Sequence, residues 1–154
     1  MDGAINSATQ EIIAFHLGHQ QFCLKTTSIR EIRGWAAATP LPHAPPHVLG
    51  VMNLRGSVIP VIDLAAKLRV TSTLDTSRSA IVVVEVGDGI IGLVVDQVSD
   101  ILSISGERIQ PVPDLGATFD PAFSYGIIPL ESGMVCFLNL DHMLASIDNR
   151  IAVA

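Results

Sequence analysis

Positive charge is scarce in this sequence: nine Lys and Arg stand against fifteen Asp and Glu, a formal net charge of −6. A chain that binds nucleic acid needs a basic face to neutralise phosphates, so the balance excludes that class. Charge of either sign is sparse, at 16% of residues. Cysteine is nearly absent. Cys23 and Cys136 each lie within an apolar run and never in a CxxC pair, which reads as two buried thiols and leaves a disulfide between them open. No apolar run approaches the ~18 residues that span a bilayer. Met1 to Gln10 is polar, without Lys or Arg, and has no apolar signal core. The expectation is a soluble cytoplasmic protein with a flexible tail at residues 1–11.

Reactive constellations are missing as well. The five histidines form neither HxH nor HExxH, and Pro45-Pro46 interrupts the spacing between His43 and His47. There is no GxSxG, no phosphate loop and no GxGxxG; Gly87-Asp88-Gly89 reads as a hairpin turn. Asp96 and Asp100 would face one another on a helical turn as solvated carboxylates. No metal, no cofactor and no catalytic residue is expected, and a β-rich chain of this kind points to a binding module rather than an enzyme.

What is abundant is apolar residues, 49% of the chain, arranged in short runs divided by turn residues. Four hairpins are legible: Ile12 to Leu17 with Gln21 to Lys25, Val51 to Leu54 with Ser57 to Ile62, Ser79 to Val86 with Ile90 to Val95, and Gly126 to Leu130 with Met134 to Leu140. Short helical patterns follow the second and fourth, at Leu64 to Leu68 and Leu140 to Leu144. The elements repeat. Aligning Gly18 with Gly87 brings Leu24 onto Leu93, Ile29 onto Val98 and Ile32 onto Ile101. Aligning Gly50 with Gly126 brings Leu54 onto Leu130, Ile62 onto Leu138 and Leu68 onto Leu144. The chain reads as a weak duplication of two β units of ~70 residues. The units fall at about 12–70 and 79–147, inside one domain at 12–147. Val70 to Arg78 would link them, and 148–154 would form a C-terminal tail.

One segment concentrates the signals: Gly50-Val51-Met52-Asn53-Leu54-Arg55-Gly56-Ser57-Val58-Ile59-Pro60-Val61-Ile62-Asp63-Leu64. Arg55 would stand exposed at a hairpin tip. Pro60 lacks a ladder donor, which suggests an edge strand or a bulge. Asp63 is placed to cap the helix from Leu64. Gly50 and its repeat partner Gly126 suggest a backbone requirement, either positive φ or close strand approach.

This segment resembles the G-hhNLRG-hhhPhhDL signature (h, apolar) of the CheW-like domain, and the resemblance extends from about Ile12 to Ile147. It takes in FHLGHQQFCLKTTSIREIRGW, IVVVEVGDGIIGLVVDQVSDILSI and YGIIPLESGMVCFLNLDHML. The resemblance implies a mainly β fold of two intertwined SH3-like five-stranded β-barrels with short helices, and so some strand exchange between the two units. It implies a non-enzymatic adaptor that couples methyl-accepting chemoreceptors to the CheA histidine kinase in chemotaxis. The same fold serving surface sensing or twitching motility is the alternative. A free coupling protein is expected rather than a kinase's regulatory domain, recruited to receptor arrays at the inner face of the membrane. By motif position, Ile29, Glu31, Arg55, Ser79, Ala80 and Ile101 become candidates for binding the receptor tip, and Gly50 for binding the kinase regulatory domain. Other roles stay open: a turn-holding guanidinium at Arg55, core positions for Ile29 and Ile101, a rim charge at Glu31. Gly50→Asp is expected to remove kinase binding and leave the fold intact.

Overall fold

The computed structural model describes residues 9–71, 79–112, 123–131 and 133–144. Most of the expected linker, most of the expected N-terminal tail and the expected C-terminal tail lie outside the described residues. Ten strands are seen: β1 (Thr9–Leu17), β2 (Gln20–Lys25), β3 (Ile29–Gly34), β4 (Val48–Leu54), β5 (Ser57–Asp63), β6 (Ala80–Val86), β7 (Gly89–Val95), β8 (Gln97–Ser105), β9 (Ser124–Leu130) and β10 (Gly133–Leu138). They form two five-stranded sheets, ordered β8-β1-β2-β10-β9 and β3-β6-β7-β5-β4. The chain is mainly β, as expected.

Each sheet draws on both halves of the sequence. Hairpin β1–β2 sits with β8, β9 and β10, while hairpin β6–β7 sits with β3, β4 and β5. The sequence halves are therefore not the two sheets: the leading hairpin of each half has been exchanged. The junctions are parallel, Phe137 opposite Cys23 in one sheet and Val61 opposite Gly92 in the other, and these pairs superpose under the repeat alignment. The edge strands repeat too, with Val98 opposite Phe15 matching Ile29 opposite Val84, and a register irregularity follows in both.

The exchange explains why β1 and β6 are so apolar. Their alternate residues face different cores, so both faces are buried. Ile12 and Ala14 join Cys23, Ile128, Val135 and Phe137 inside one sheet; Ile81 and Val83 join Leu54, Ile59, Val61 and Val94 inside the other. Ile13, Phe15, Leu17, Val82, Val84 and Val86 face a third core shared between the sheets, which also takes Leu64, Leu68, Leu140 and Leu144 from the helical turns. Burying each large apolar side chain in this way contributes about 1.5–3 kcal/mol.

Helix α1 (Leu64–Leu68) begins where Asp63 accepts a 3.3 Å hydrogen bond from the Ala66 amide. Residues 140–144 are helical likewise, and Asn139, the repeat partner of Asp63, accepts from the His142 amide at 3.3 Å. The aspartate and the asparagine do the same work in the two halves.

Several local expectations need correction. β1 begins at Thr9 and Thr9–Glu11 pair with β8, although they were assigned to the tail. The sequence hides this because only β8 pairs with that end and Thr9 and Glu11 point to solvent. β5 is neither an edge strand nor broken by Pro60, since its parallel ladder to β7 starts only at Val61. The missing amide thus falls where no ladder bond is required. Asp96 and Asp100 are not on a helical turn. Asp96 is buried between β7 and β8 and accepts the Gly18 amide at 2.6 Å, pinning the first hairpin's turn, while Asp100 lies exposed on β8.

Candidate functional site

The NLRG segment forms the β4–β5 turn. Leu54 pairs with Ser57, leaving Arg55 and Gly56 as a two-residue loop with φ of 52° and 90°. These values fit a type I′ turn, whose hand matches the twist of the flanking strands. Glycine suits the second position. Arg55 is a non-glycine residue in the left-handed region, a conformation costing on the order of 1–2 kcal/mol. Asn53 Oδ1 accepts the Gly56 amide at 2.9 Å and closes the turn from within.

The tip carries Arg55 to the far side of its own sheet. Its guanidinium meets Glu31 at 2.5 Å, with the arginine side chain still 74% exposed. Glu31 lies on β3, and β3 and β4 are opposite edges of the sheet. The pair therefore bridges residues from the two edges of the sheet. Arg33 approaches the same carboxylate at 3.4 Å. The Arg55 hydrogen bond holds the Glu31 carboxyl below its usual value; burial opposes this, and the Arg55 and Arg33 charges add to it.

The candidate residues fall into distinct settings. Glu31 and Arg55 are in contact, and both face solvent in part. Ile29, two residues before Glu31, is half-buried against the shared core. Ser79 and Ala80, at the start of β6, are buried, with Ala80 opposite Gly34 of β3. Ile101 is 64% exposed, so it is a surface residue and not a core one. It belongs to β8, on the edge of the other sheet, away from the Glu31–Arg55 contact in the hydrogen-bonded order. Val58, which sequence reading passed over, stands 70% exposed opposite Asn53. A valine in an apolar strand gave no signal of facing outward.

Gly50 has a different character. It is buried at φ 146°, and a Cβ there would overlap the Thr39 carbonyl oxygen. Thr39 and Val51 exchange backbone hydrogen bonds of 2.8 and 2.9 Å across that point. Gly126, its repeat partner, has φ 152°, and a Cβ there would meet the Gln110 carbonyl, which bonds reciprocally with Ile127 at 2.7 and 2.8 Å. The expectation that Gly50→Asp leaves the fold intact is therefore overturned: the position has no room for any side chain.

Chemistry is sparse elsewhere. A surface hollow of about 340 Å³ is lined by His19, Gln20, Gln21, Ile127, Met134 and Cys136 among others, with no acid–base pair aimed into it. Cys23 lies in the core of its sheet, and Cys136 packs on the shared core. Their neighbours in the parallel ladder put them on opposite faces, since Cys136 pairs with Phe22 and Phe137 with Cys23. Both thiols are free, and a bridge between them is excluded by this geometry. Among the described residues, no helix is long and apolar enough to cross a membrane.

The CheW-like domain family matches this chain over residues 11–148. The chain is 43% identical over 148 residues to the chemotaxis protein CheW of Rhizobium meliloti, covering 96% of each. It is 42% identical over 149 residues to the probable chemotaxis protein CheW of Rhizobium etli, covering 97% of this chain and 96% of that one. The crystal structure of the scaffolding protein TtCheW from Thermoanaerobacter tengcongensis superposes with a TM-score of 0.82 at 29% identity, covering 90% of each chain. With a family model matching nearly all its length and a relative above two-fifths identity covered almost completely, the chain belongs to the CheW-like domain family.

Proposed function

We propose that this protein is a non-enzymatic adaptor that couples methyl-accepting chemoreceptors to a CheA-type histidine kinase in chemotaxis. One observation carries the reading: an exposed, positioned Arg55 at an NLRG tip, in a chain that aligns end to end with proteins named for chemotaxis. A guanidinium already oriented by a carboxylate keeps free donors for a partner's acceptor and forfeits little side-chain freedom on binding. The receptor's helical tip meets the corner of Glu31 and Arg55, together with Ile29, Ser79 and Ala80, with Ile101 as an apolar contact on the other sheet. The kinase regulatory domain meets the edge of β4 near Gly50. The protein works in the cytoplasm, at receptor arrays on the inner face of the membrane. The relatives' names favour chemotaxis over a surface-motility pathway.

Arg55→Ala tests the reading. The side chain is exposed, so the variant's melting transition stays within about 0.5 kcal/mol of the parent. Pull-down of a receptor cytoplasmic fragment weakens, while pull-down of the kinase regulatory domain persists. Failure of the parent protein to capture either fragment refutes the adaptor assignment. Unchanged receptor capture by the variant refutes the role of the corner.

A further inference from the structure

The internal duplication supplies a control for the Arg55 corner, because every feature of it has a counterpart in the other sheet. Under the alignment that superposes Leu54 on Leu130, Arg55 falls on Glu131 and Asn53 on Pro129. Under the alignment that superposes Ile32 on Ile101, Glu31 falls on Asp100. The closing strand pair is retained, since Leu130 pairs with Gly133 as Leu54 pairs with Ser57, but the turn is not: Glu131 lacks the positive φ of Arg55. The three side chains change together. The cation becomes an acid, the position of its partner keeps a carboxylate, and the asparagine becomes a proline with no side-chain acceptor. The Pro129 carbonyl instead accepts a 2.6 Å hydrogen bond from Arg108. Other duplicated features, such as the Asp63 and Asn139 caps, keep their chemistry. The strand pairing survives in both halves, while the asparagine, the left-handed tip residue and the cation are lost together, which links Asn53 to the tip conformation that carries Arg55.

We propose that Asn53 is a positioning residue for Arg55: its carboxamide, by holding the Gly56 amide, fixes the tip so that the guanidinium lies on Glu31. The reasoning is geometric. Arg55 sits in a backbone region that arginine visits rarely, and the two-residue loop has few internal restraints. The Asn53 bond spans the loop and closes it. Without it the tip samples other turns, and a long, mostly exposed arginine side chain leaves its partner. Asn53 itself is exposed and lies in no core, so its work is local. The consequence for receptor capture rests on the adaptor reading; the positioning itself does not.

The test follows the Glu31 carboxyl by carbon-detected NMR titration of the isolated full chain. Arg33 stays in every variant, so changes report Arg55. Arg55→Ala sets the full upward shift of the Glu31 pKa. Asn53→Ala is expected to give more than half of that shift with a melting transition like the parent's. Asn53→Ser, a neutral side chain that still accepts from an amide, restores most of the parent's value. A parent-like titration in N53A, an N53S variant no different from N53A, or an unfolded N53A overturns the proposal. Receptor pull-down with N53A is read separately: a shifted Glu31 with unchanged capture keeps the positioning role and removes its link to the adaptor function.

Discussion

Replacing Gly50 by alanine asks whether the exchanged sheets depend on close backbone approach at their edges. The added Cβ meets two obstacles. The φ of 146° is open to glycine and costs other residues about 1–3 kcal/mol. The methyl also overlaps the Thr39 carbonyl, so the reciprocal hydrogen bonds between Thr39 and Val51 must lengthen or break, each worth about 0.5–1.5 kcal/mol net. Together the loss is about 2–6 kcal/mol, a large part of the ~5–15 kcal/mol that holds an ordinary domain folded. Urea unfolding followed by circular dichroism reads it as a fall in midpoint at constant slope. Gly126→Ala repeats the experiment in the other sheet and is expected to cost a similar amount. Gly34→Ala is the control, because a Cβ there meets nothing within 4 Å. A Gly50→Ala variant within about 0.5 kcal/mol of the parent, or a Gly34→Ala variant as unstable as it, would refute the clash argument. Any loss of partners by Gly50→Asp then has to be read as loss of fold first.

Two further outcomes follow from the geometry. Asp63→Ala and Asn139→Ala each remove a helix cap and are expected to lower stability by about 0.5–2 kcal/mol, as thermal melting will show; loss of both at no cost would mean that core packing alone holds the helical turns. Burial pushes the Cys23 thiol well up, with the neighbouring Cys136 adding to it, and burial raises Cys136 against an opposing Ser124 hydrogen bond. Raised folded values mean that the unfolded state releases its thiol protons first, so stability is full below the unfolded thiol value of about 8.5 and falls as pH rises through it. Denaturant titrations at increasing pH are expected to show this fall, reduced in Cys23→Ala. A thiol reagent modifying native Cys23 at neutral pH as fast as an unfolded peptide would contradict its burial.

The hairpins were legible because their turns carry glycine at positions of positive φ and their strands are apolar. Gly18 and Gly87 marked equivalent turns, and Asp63 announced its helix. The outer strands β3 and β8 were not recognised as strands, because each borders one neighbour and buries almost none of its residues fully, which erases the apolar alternation. Pro60 misled because its meaning depends on where a parallel ladder begins, which no local pattern records. The exchange of leading hairpins was legible only through the family resemblance: β1 carries the same residues whichever half it pairs with. In the candidate site, the motif located Arg55 and Glu31 but not their contact, since they are distant in sequence. Asp96 was misread for the same reason, its partner being the Gly18 amide a whole unit away.

The exchanged hairpins also set the order in which the molecule can be completed during synthesis. β1 and β2 are made before the other strands of their sheet, and their neighbours β8 and β10 come only in the second half of the sequence. The earliest apolar hairpin must therefore wait on nearly the entire chain before its sheet can close, with long loops to be closed entropically in the meantime. Until then its strand edges stand open to other nascent chains. A fold whose first strands are finished by its last makes the birth of this protein a single late event, and ties its yield in the cell to how well that first hairpin is shielded while it waits.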